Sequence, residues 1–221
     1  MTRGKDLEAQ LYWSFRSPYS YLALPRVKRL AAEYRLQWNV RIVYPLALRT
    51  PDYFKHMNPL ARPYFFRDAQ RVADYLGMPF RRPVPDPIVQ DPHTLEIAPS
   101  QPHIQRLTLL GAEATLRGKA LAFIDELARL LWDGTVTGWD EGEHLPRAAA
   151  RAGLDLAQME RSIAADPGPR NALIDANQAA QRAAGHWGVP LFVFDGEAFF
   201  GQDRIDVLLW RMKQKGLRPR G

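Results

Sequence analysis

The stretch Leu11-Tyr-Trp-Ser-Phe-Arg-Ser-Pro-Tyr-Ser20 joins a strand-like run to a helix-like run and decides the fold. Residues 8–15 carry the bulky apolar side chains of a buried strand, and apolar residues then recur at helical spacing as far as residue 34. Ser17 followed by Pro18 is typical of a helix N-cap with proline in the first helical position. Pro25 lies inside the predicted helix and is expected to kink it, because proline has no backbone N–H to donate.

Serines occupy the two positions that hold cysteines in the Cys-x-x-Cys pattern of thioredoxin-type proteins. Thioredoxin-type proteins place Cys-x-x-Cys at the start of such a helix and a proline five residues later, and this chain has Ser17, Ser20 and Pro25 at that spacing. The 221 residues include no cysteine, which excludes a disulfide framework, a thiolate metal site and dithiol exchange by the chain itself. Any thiol chemistry must therefore come from a bound molecule.

The tripeptide Gly188-Val-Pro190 stands directly before a predicted strand at 191–194. In thioredoxin-like folds a cis proline at this place faces the start of the first helix, and the residue before it offers a backbone edge to an extended peptide. Only about 5% of X-Pro bonds are cis, so the position in the fold supports this prediction more than the dipeptide does. We predict a cis bond between Val189 and Pro190.

The remaining elements place a helical segment between two α/β segments. A second strand is predicted at 36–43, and the chain ends in a hairpin about Asp195-Gly196 followed by a helix at 203–215. Between them the pattern predicts helices at 63–76, 103–116, 118–132, 143–152, 155–165 and 169–184, with proline-rich irregular stretches at 49–63 and 78–102. The fold class is therefore α/β.

We predict a thioredoxin-like domain interrupted by an all-helical insertion. The thioredoxin-like domain comprises residues 1–45 and 186–221, and the insertion comprises residues 46–185. Hydrophobic residues make up 46% of the chain and charged residues 24%, which is ordinary for a globular protein. No repeat or low-complexity tract interrupts this arrangement.

The charge and the composition bound the partners. The net charge is +6, but the basic residues form dense groups only at Arg81-Arg82 and at 211–220, and no zinc-finger or RNA-binding pattern occurs, so we expect no nucleic-acid partner. The positive field suits anionic small molecules. The first ten residues are polar and no run approaches the length of a membrane span, so we expect no membrane partner and a cytoplasmic location. Five scattered histidines show no metal-ligand spacing, and no metal is expected.

Three motifs in this order resemble the 2-hydroxychromene-2-carboxylate isomerases and the kappa-class glutathione transferases. They are residues 12–22, the tripeptide 188–190 and Phe199-Phe-Gly-Gln-Asp-Arg204, and the resemblance extends over nearly the whole chain. It implies glutathione as the cofactor, a small aromatic or electrophilic molecule as the substrate and a homodimer as the assembly.

The resemblance implies that the sulfur of glutathione lies at Ser17, the candidate catalytic residue. A free thiol with a pKa of about 8.5 is only about 3% thiolate at pH 7. Lowering that pKa by about 2 units needs about 2.7 kcal/mol, which a hydroxyl donor at about 1.5 kcal/mol or more and a helix N-terminus at roughly 0.3–1 kcal/mol can largely supply. The alternative is that Ser17 only caps the helix.

Further residues are implied as glutathione ligands. Val189 and Pro190 would present the backbone edge, while Gln202 and Asp203 would meet the γ-glutamyl end, with Asp203 on its ammonium group. Gln202 departs from the Ser or Asn more common in the family. A simple N-cap role is the alternative for Asp203.

The glycyl end of glutathione has less definite candidates. Arg62 or Lys55 is expected to pair with its carboxylate, and Asn58 is a further candidate contact. Ser14 stands where the isomerases usually have Asp, and this change indicates a divergent branch. Arg16 adds a positive charge beside Ser17. Arg16 either attracts an anionic co-substrate or faces solvent.

Three functions fit these observations. The leading one is a glutathione-dependent isomerase in the catabolism of aromatic compounds, in which the thiolate adds reversibly to a ring-opened substrate. The second is a kappa-like glutathione transferase that leaves glutathione on an electrophile. The third is a non-enzymatic thioredoxin-like module that binds extended peptides at the cis-proline edge.

Overall fold

A computed structural model describes residues 6–220, and a four-stranded sheet forms the centre of the part described. Its strands are β1 (Leu7–Trp13), β2 (Leu36–Ile42), β3 (Leu191–Phe194) and β4 (Glu197–Phe200), in the spatial order β2-β1-β3-β4. β1 pairs in parallel with β2 and antiparallel with β3, which in turn pairs antiparallel with β4. The first α/β segment and the final hairpin thus form one sheet, as the thioredoxin-like prediction requires.

The helices follow the predicted order, and the segment between β2 and β3 is helical. They are α1 (Pro18–Glu33), α2 (Leu46–Arg49), α3 (Ala61–Leu76), α4 (Pro102–Leu116), α5 (Ala120–Trp132), α6 (His144–Arg151), α7 (Leu156–Ala165), α8 (Gly168–Ala183) and α9 (Ile205–Gln214). The structure therefore confirms an α/β thioredoxin-like fold with a helical insertion. None of these helices, within residues 6–220, has the length and apolar character needed to cross a bilayer.

Two details differ from the sequence prediction. The four-residue helix α2 lies between the predicted strand at 36–43 and the irregular stretch that begins at residue 49, where no element is predicted, because one turn is too short to show helical periodicity. The last helix is preceded by a 3-10 turn at Gln202–Arg204, so α9 begins two residues later than predicted. Pro25 is exposed, and α1 continues through it to Glu33.

The helical insertion packs directly against the sheet and the turn that follows β1. Gly111 of α4 lies so close to β2 that a Cβ atom would stand 2.8 Å from Cε2 of Phe15 and 3.1 Å from Cγ1 of Ile42. Phe123 of α5 meets Phe15 edge to face, with ring centroids 6.3 Å apart. The insertion and the thioredoxin-like part share one core. The domain boundaries at residues 45 and 185 stay a prediction.

A buried ion pair fixes α8 against α4. Arg170 on α8 donates from Nε to Oε2 of Glu113 on α4 at 2.6 Å, and Glu113 is 2% exposed. Arg117 donates to the other carboxylate oxygen at 2.7 Å. Because a buried carboxylate needs its partners, this pairing sets the place of α8, whose far end reaches the segment before β3.

Candidate active site

Ser17 caps the first turn of α1, and its hydroxyl lies between two backbone groups. Its backbone is extended, with φ −105° and ψ 113°, and its Oγ accepts a hydrogen bond from the Ser20 N–H at 3.2 Å. The same hydroxyl donates to the carbonyl of Val189 at 3.2 Å. Pro18 follows within the first turn, as predicted. Ser17 is therefore an N-cap that directs its proton towards the segment preceding β3.

The bond between Val189 and Pro190 is cis, which confirms the prediction made from its position. Pro190 is buried and Val189 is half-buried. The Val189 carbonyl meets Ser17, while no hydrogen bond within residues 6–220 uses the Val189 N–H. A second cis bond, Val84–Pro85, lies in the proline-rich stretch, where no sequence pattern indicates it.

A cavity of about 360 Å³ opens beside Ser17 and Val189. Its walls are mostly aromatic and aliphatic side chains from the insertion and from the segment before β3. They include Tyr53, Phe54, Met57, Phe65, Phe66, Leu95, Trp132 and Trp187. The indole N–H of Trp132 donates to the carbonyl of Phe15 at 3.0 Å, so α5 is tied to the turn that carries Ser17. The cavity suits a flat apolar molecule next to a helix N-terminus.

Charged side chains line another part of the same cavity. Arg16 donates from Nε and Nη2 to the two oxygens of Asp86 at 2.8 and 2.9 Å, and Arg82 donates to Oδ2 of Asp86 at 3.3 Å. Burial alone raises the pKa of Asp86, but the hydrogen bonds and charge of Arg16 outweigh it, so the net pKa is lowered. Asp86 is thus ionised at neutral pH and orients Arg16 beside Ser17.

Arg62 also lines the cavity, whereas Asn58 does not. The guanidinium carbon of Arg62 lies 5.8 Å from the centroid of the Phe66 ring, and burial and the nearby charge of Arg82 lower the pKa of Arg62. Asn58 is exposed, and its Oδ1 accepts the Leu60 N–H at 2.9 Å. The structure thus brings Arg62, and not Asn58, to the cavity that Ser17 lines.

Lys55 is the other candidate for the glycyl carboxylate of glutathione, and it is already paired. Its Nζ lies 3.3 Å from Oδ1 of Asp52 and 3.9 Å from Oε1 of Glu96. It is exposed and does not line the cavity. Of the two cations considered for that carboxylate, Arg62 has the position facing the site.

Gln202 and Asp203 lie in the 3-10 turn that precedes α9, alongside the first half of α1. The Oε1 atom of Gln202 accepts a hydrogen bond from Arg26, and Asp203 pairs with Nη1 of Arg204 at 2.8 Å. Burial raises the pKa of Tyr19, and Asp203 is near enough to add a small contribution in the same direction. Both residues stand outside the cavity lining but next to the helix that Ser17 begins.

The sequence from residue 9 to residue 213 matches the family described as the DSBA-like thioredoxin domain. The chain belongs to this family. None of the curated proteins matches the sequence. This DsbA-like chain differs from a dithiol protein at its functional position, because Ser17 and Ser20 stand where the redox pair would be and the chain has no cysteine.

Solved structures similar to this DsbA-like chain include an isomerase and a reductase. The 2-hydroxychromene-2-carboxylate isomerase is 21% identical with a TM-score of 0.69, over 94% of this chain and 95% of that one. The cytosolic disulfide reductase DsbM from Pseudomonas aeruginosa is 15% identical with a TM-score of 0.59, over 95% and 100%. The same DsbM with GSH is 13% identical with a TM-score of 0.57, over 94% and 100%. At these identities the similarity shows the fold.

Two residues that the sequence pattern does not indicate hold the segment before β3. Arg49, in the last turn of α2, donates from Nη2 to the carbonyl of Trp187 at 2.7 Å and from Nη1 to Oε1 of Gln181 at 3.0 Å. Gln181, on α8, donates from Nε2 to the carbonyl of Gly188 at 2.7 Å. Burial lowers the pKa of Arg49 to about 10, so the side chain stays charged at neutral pH. Arg49 lies 138 positions from Trp187 and 132 from Gln181, so no local motif could reveal its role.

His186 and Ser14 are two further polar residues near Ser17. The ring of His186 stacks on Trp187 and on Phe200, with centroids 4.5 and 4.0 Å away, and its Nδ1 accepts the Gly188 N–H at 2.9 Å. Burial lowers the pKa of His186. Ser14 lines the cavity, and its buried Oγ has no hydrogen-bond partner among the described residues. His186 therefore braces the segment, and Ser14 offers an unused hydroxyl.

Proposed function

We propose that this DsbA-like chain is a glutathione-dependent isomerase of the 2-hydroxychromene-2-carboxylate isomerase type, in which Ser17 activates the glutathione thiol. The observation that carries the proposal is the placement of one hydroxyl. Ser17 stands at the start of α1, beside a largely aromatic cavity, in a chain that has no thiol of its own.

The hydrogen bonds of Ser17 suit it to donate to a thiolate. Its Oγ already accepts from Ser20, so its own proton is free to serve an acceptor and meets the Val189 carbonyl. A sulfur bound at the start of α1 accepts the hydrogen bond of the Ser17 hydroxyl in place of the Val189 carbonyl. The hydrogen bond and the helix N-terminus both favour the charged form of the thiol and lower its pKa.

The surrounding groups suit the peptide part of glutathione. The Val189 N–H is available for an extended tripeptide to pair with, as in strand addition. Asp203 and Gln202, beside α1, are then the partners of the γ-glutamyl end, and Arg62 is the partner of the glycyl carboxylate. The DsbM structure with GSH, which has this fold, supports a glutathione site on such a scaffold.

The cavity has the chemistry to take an aromatic acid as the second molecule. Its apolar walls fit a ring, and its lining holds three arginines, at positions 16, 62 and 82, against one carboxylate, that of Asp86. The excess positive charge suits a carboxylate group. It also suits the negative charge that appears on the substrate when a thiolate adds to it.

The proposed reaction is a reversible addition. Opening of the chromene ring gives an unsaturated keto acid, and the glutathione sulfur forms a bond to its alkene carbon while the alkene electron pair moves to the ketone oxygen. The former double bond then rotates freely. Return of the electron pair re-forms the alkene in the trans geometry and breaks the carbon–sulfur bond, so glutathione is recovered unchanged.

The test is to titrate reduced glutathione into the purified protein and into Ser17→Ala, and to follow thiolate absorbance near 240 nm. We expect saturable binding with thiolate formation in the wild type and loss of the thiolate signal in the variant. Isomerisation of the chromene carboxylate is expected to fall about 100-fold in Ser17→Ala, as for the loss of one donor to a developing charge. Ser100→Ala, at an exposed position, is the matched control.

Each other outcome assigns a different function. A stable adduct with consumption of glutathione would support a kappa-like glutathione transferase. Peptide binding without any glutathione binding would support a thioredoxin-like binding module and overturn both enzymatic functions. The homodimer and the cytoplasmic location remain predictions of the sequence resemblance and composition.

A further inference from the structure

The three carbonyls that precede Pro190 are each held by a side chain from a different part of the chain. Arg49 of α2 binds the Trp187 carbonyl, Gln181 of α8 binds the Gly188 carbonyl, and Ser17 binds the Val189 carbonyl. The first two bonds are short, at 2.7 Å each, and the third is 3.2 Å. The backbone leading to the glutathione edge is thus fixed by bonds from outside its own segment.

Gln181 is the buried centre of this arrangement. It is 0% exposed, and both ends of its amide are used, since Oε1 accepts from Arg49 and Nε2 donates to Gly188. A buried amide without hydrogen-bond partners costs free energy, so Gln181 needs both of its bonds. Loss of either bond leaves a buried polar atom of its side chain without a partner. Arg49 completes its own bonding at the Tyr44 carbonyl, at 2.7 Å.

The backbone at Gly188 is also packed closely against neighbouring side chains. A Cβ atom on Gly188 would stand 2.3 Å from Cε2 of Phe200, and its N–H already donates to Nδ1 of His186. The Trp187–Gly188 peptide is thus held at its carbonyl by Arg49 and at its N–H by His186, and the Gly188–Val189 peptide is held at its carbonyl by Gln181. The N–H of that second peptide belongs to Val189, and no hydrogen bond in residues 6–220 uses it.

We propose that Arg49 and Gln181 are positioning residues for glutathione: they orient the Val189 peptide edge so that the bound tripeptide pairs with it while its sulfur lies at Ser17. This inference rests on the proposed function. Neither residue lines the cavity itself, and both act on it through the backbone of Trp187 and Gly188. Their effect is therefore on where the peptide sits, and the ionisation of the thiol is left to Ser17.

The test separates these two roles by measuring affinity and thiol pKa together. Gln181→Glu keeps an acceptor for Arg49 but replaces the donor to the Gly188 carbonyl with an oxygen. Arg49→Lys keeps the charge but has one nitrogen in place of the three that contact Tyr44, Gln181 and Trp187. We expect each variant to weaken glutathione binding about tenfold. The pKa of the bound thiol, from 240 nm absorbance against pH at saturating glutathione, is expected to match the wild type.

The contrast with other variants decides the result. Ser17→Ala is expected to raise the pKa of the bound thiol, and Arg182→Lys, an exposed cation on α8, is expected to change neither quantity. Thermal unfolding of each variant identifies the folded fraction, and Arg49→Lys serves if Gln181→Glu does not fold. Unchanged glutathione affinity in folded Arg49→Lys and Gln181→Glu overturns the inference. So does a bound-thiol pKa that is raised in these two variants as it is in Ser17→Ala. Absence of glutathione binding in the wild type instead overturns the proposed function.

In turnover the same distinction appears as a KM effect. At saturating glutathione we expect Arg49→Lys and Gln181→Glu to regain a kcat near that of the wild type, with the KM for glutathione raised about tenfold. A residue with only a structural role lowers the amount of folded enzyme and leaves that KM unchanged. A lower kcat at an unchanged KM contradicts positioning.

Discussion

One side of the cavity, residues 14–18 and 186–190, is held by hydrogen bonds from distant parts of the chain, whereas the opposite side, residues 53–66 and 82–95, is held mainly by short-range bonds. We call them the serine side and the loop side. Gln181, which binds the Gly188 carbonyl of the serine side, is fully buried. Leu60 and Tyr64 on the loop side are 76% and 58% exposed. Asp91 of the loop side bonds the N–H groups of His93 and Thr94, its near neighbours.

This difference separates the two tasks of the proposed enzyme. Activation of a thiol needs a hydroxyl and a peptide edge held at fixed positions, and the serine side supplies both. Selection of a second molecule depends on the walls that surround it, and the loop side supplies most of these. Variation of the loop side can thus change the substrate without disturbing the thiol site.

The largest effect is expected from a side chain added to the closely packed serine side. Gly188→Ala places a Cβ 2.3 Å from Phe200 Cε2, so either the Phe200 ring leaves His186 or the backbone moves. We expect the free energy of unfolding to fall by about 1–3 kcal/mol, measured by urea denaturation. Gly168→Ala, whose Cβ first meets the Asp166 carboxylate at 3.0 Å, is the control. Wild-type stability in Gly188→Ala would contradict a tightly held serine side.

The ion pair between Arg16 of the serine side and Asp86 of the loop side gives a smaller and pH-dependent effect. Asp86→Asn removes the charge that binds Arg16, and we expect a loss of about 2 kcal/mol in unfolding free energy near pH 7. The pKa of Asp86 in the folded protein lies below its ordinary value of 3.8. Its stabilising contribution is therefore complete above about pH 4 and is lost as the pH falls through the lowered pKa.

Urea unfolding of the wild type and Asp86→Asn at several pH values measures this effect. The gap between them is expected to close as the solution is acidified. Asp52→Asn, whose carboxylate is 65% exposed, is expected to change stability by less than about 0.5 kcal/mol at any pH. A gap that persists unchanged in acid would mean that the charge of Asp86 is not what stabilises the loop side.

The smallest effect sharpens the boundary of the loop side. Asn58 is exposed and does not line the cavity, so Asn58→Ala is expected to change stability by less than about 0.5 kcal/mol. We expect its glutathione affinity, from calorimetric titration, to equal that of the wild type. Arg62→Ala, at a cavity-lining position, is expected to weaken binding. Weaker glutathione binding by Asn58→Ala would place Asn58 in the glutathione site, as the resemblance implies.

The sequence predicts the serine side well because its features are local. The Ser17-Pro18 cap, the strand before it and the position of Pro190 are each visible within a few residues, and the structure contains all three. The family follows from the order of these motifs, and the matched region covers residues 9–213.

The rest of the site could not be predicted because it depends on contacts between distant residues. Arg49 and Gln181 are 132 positions apart, and nothing local marks either as the partner of a carbonyl near Pro190. The pairing of Arg16 with Asp86 spans 70 positions in the same way. The single turn of α2, which carries Arg49, is too short to show helical periodicity and emerges only from the fold.

The serine at the start of α1 has a consequence for the life of the protein under oxidative stress. With no thiol in its 221 residues, the chain cannot be trapped as a sulfenic acid or as a mixed disulfide, and the Ser17 hydroxyl needs no reductase to restore it. Under the proposed function, thiol oxidation affects activity only through the supply of reduced glutathione. The proposed enzyme then responds to the cell's redox state as it responds to a substrate concentration, reversibly and without an oxidised thiol of its own to repair.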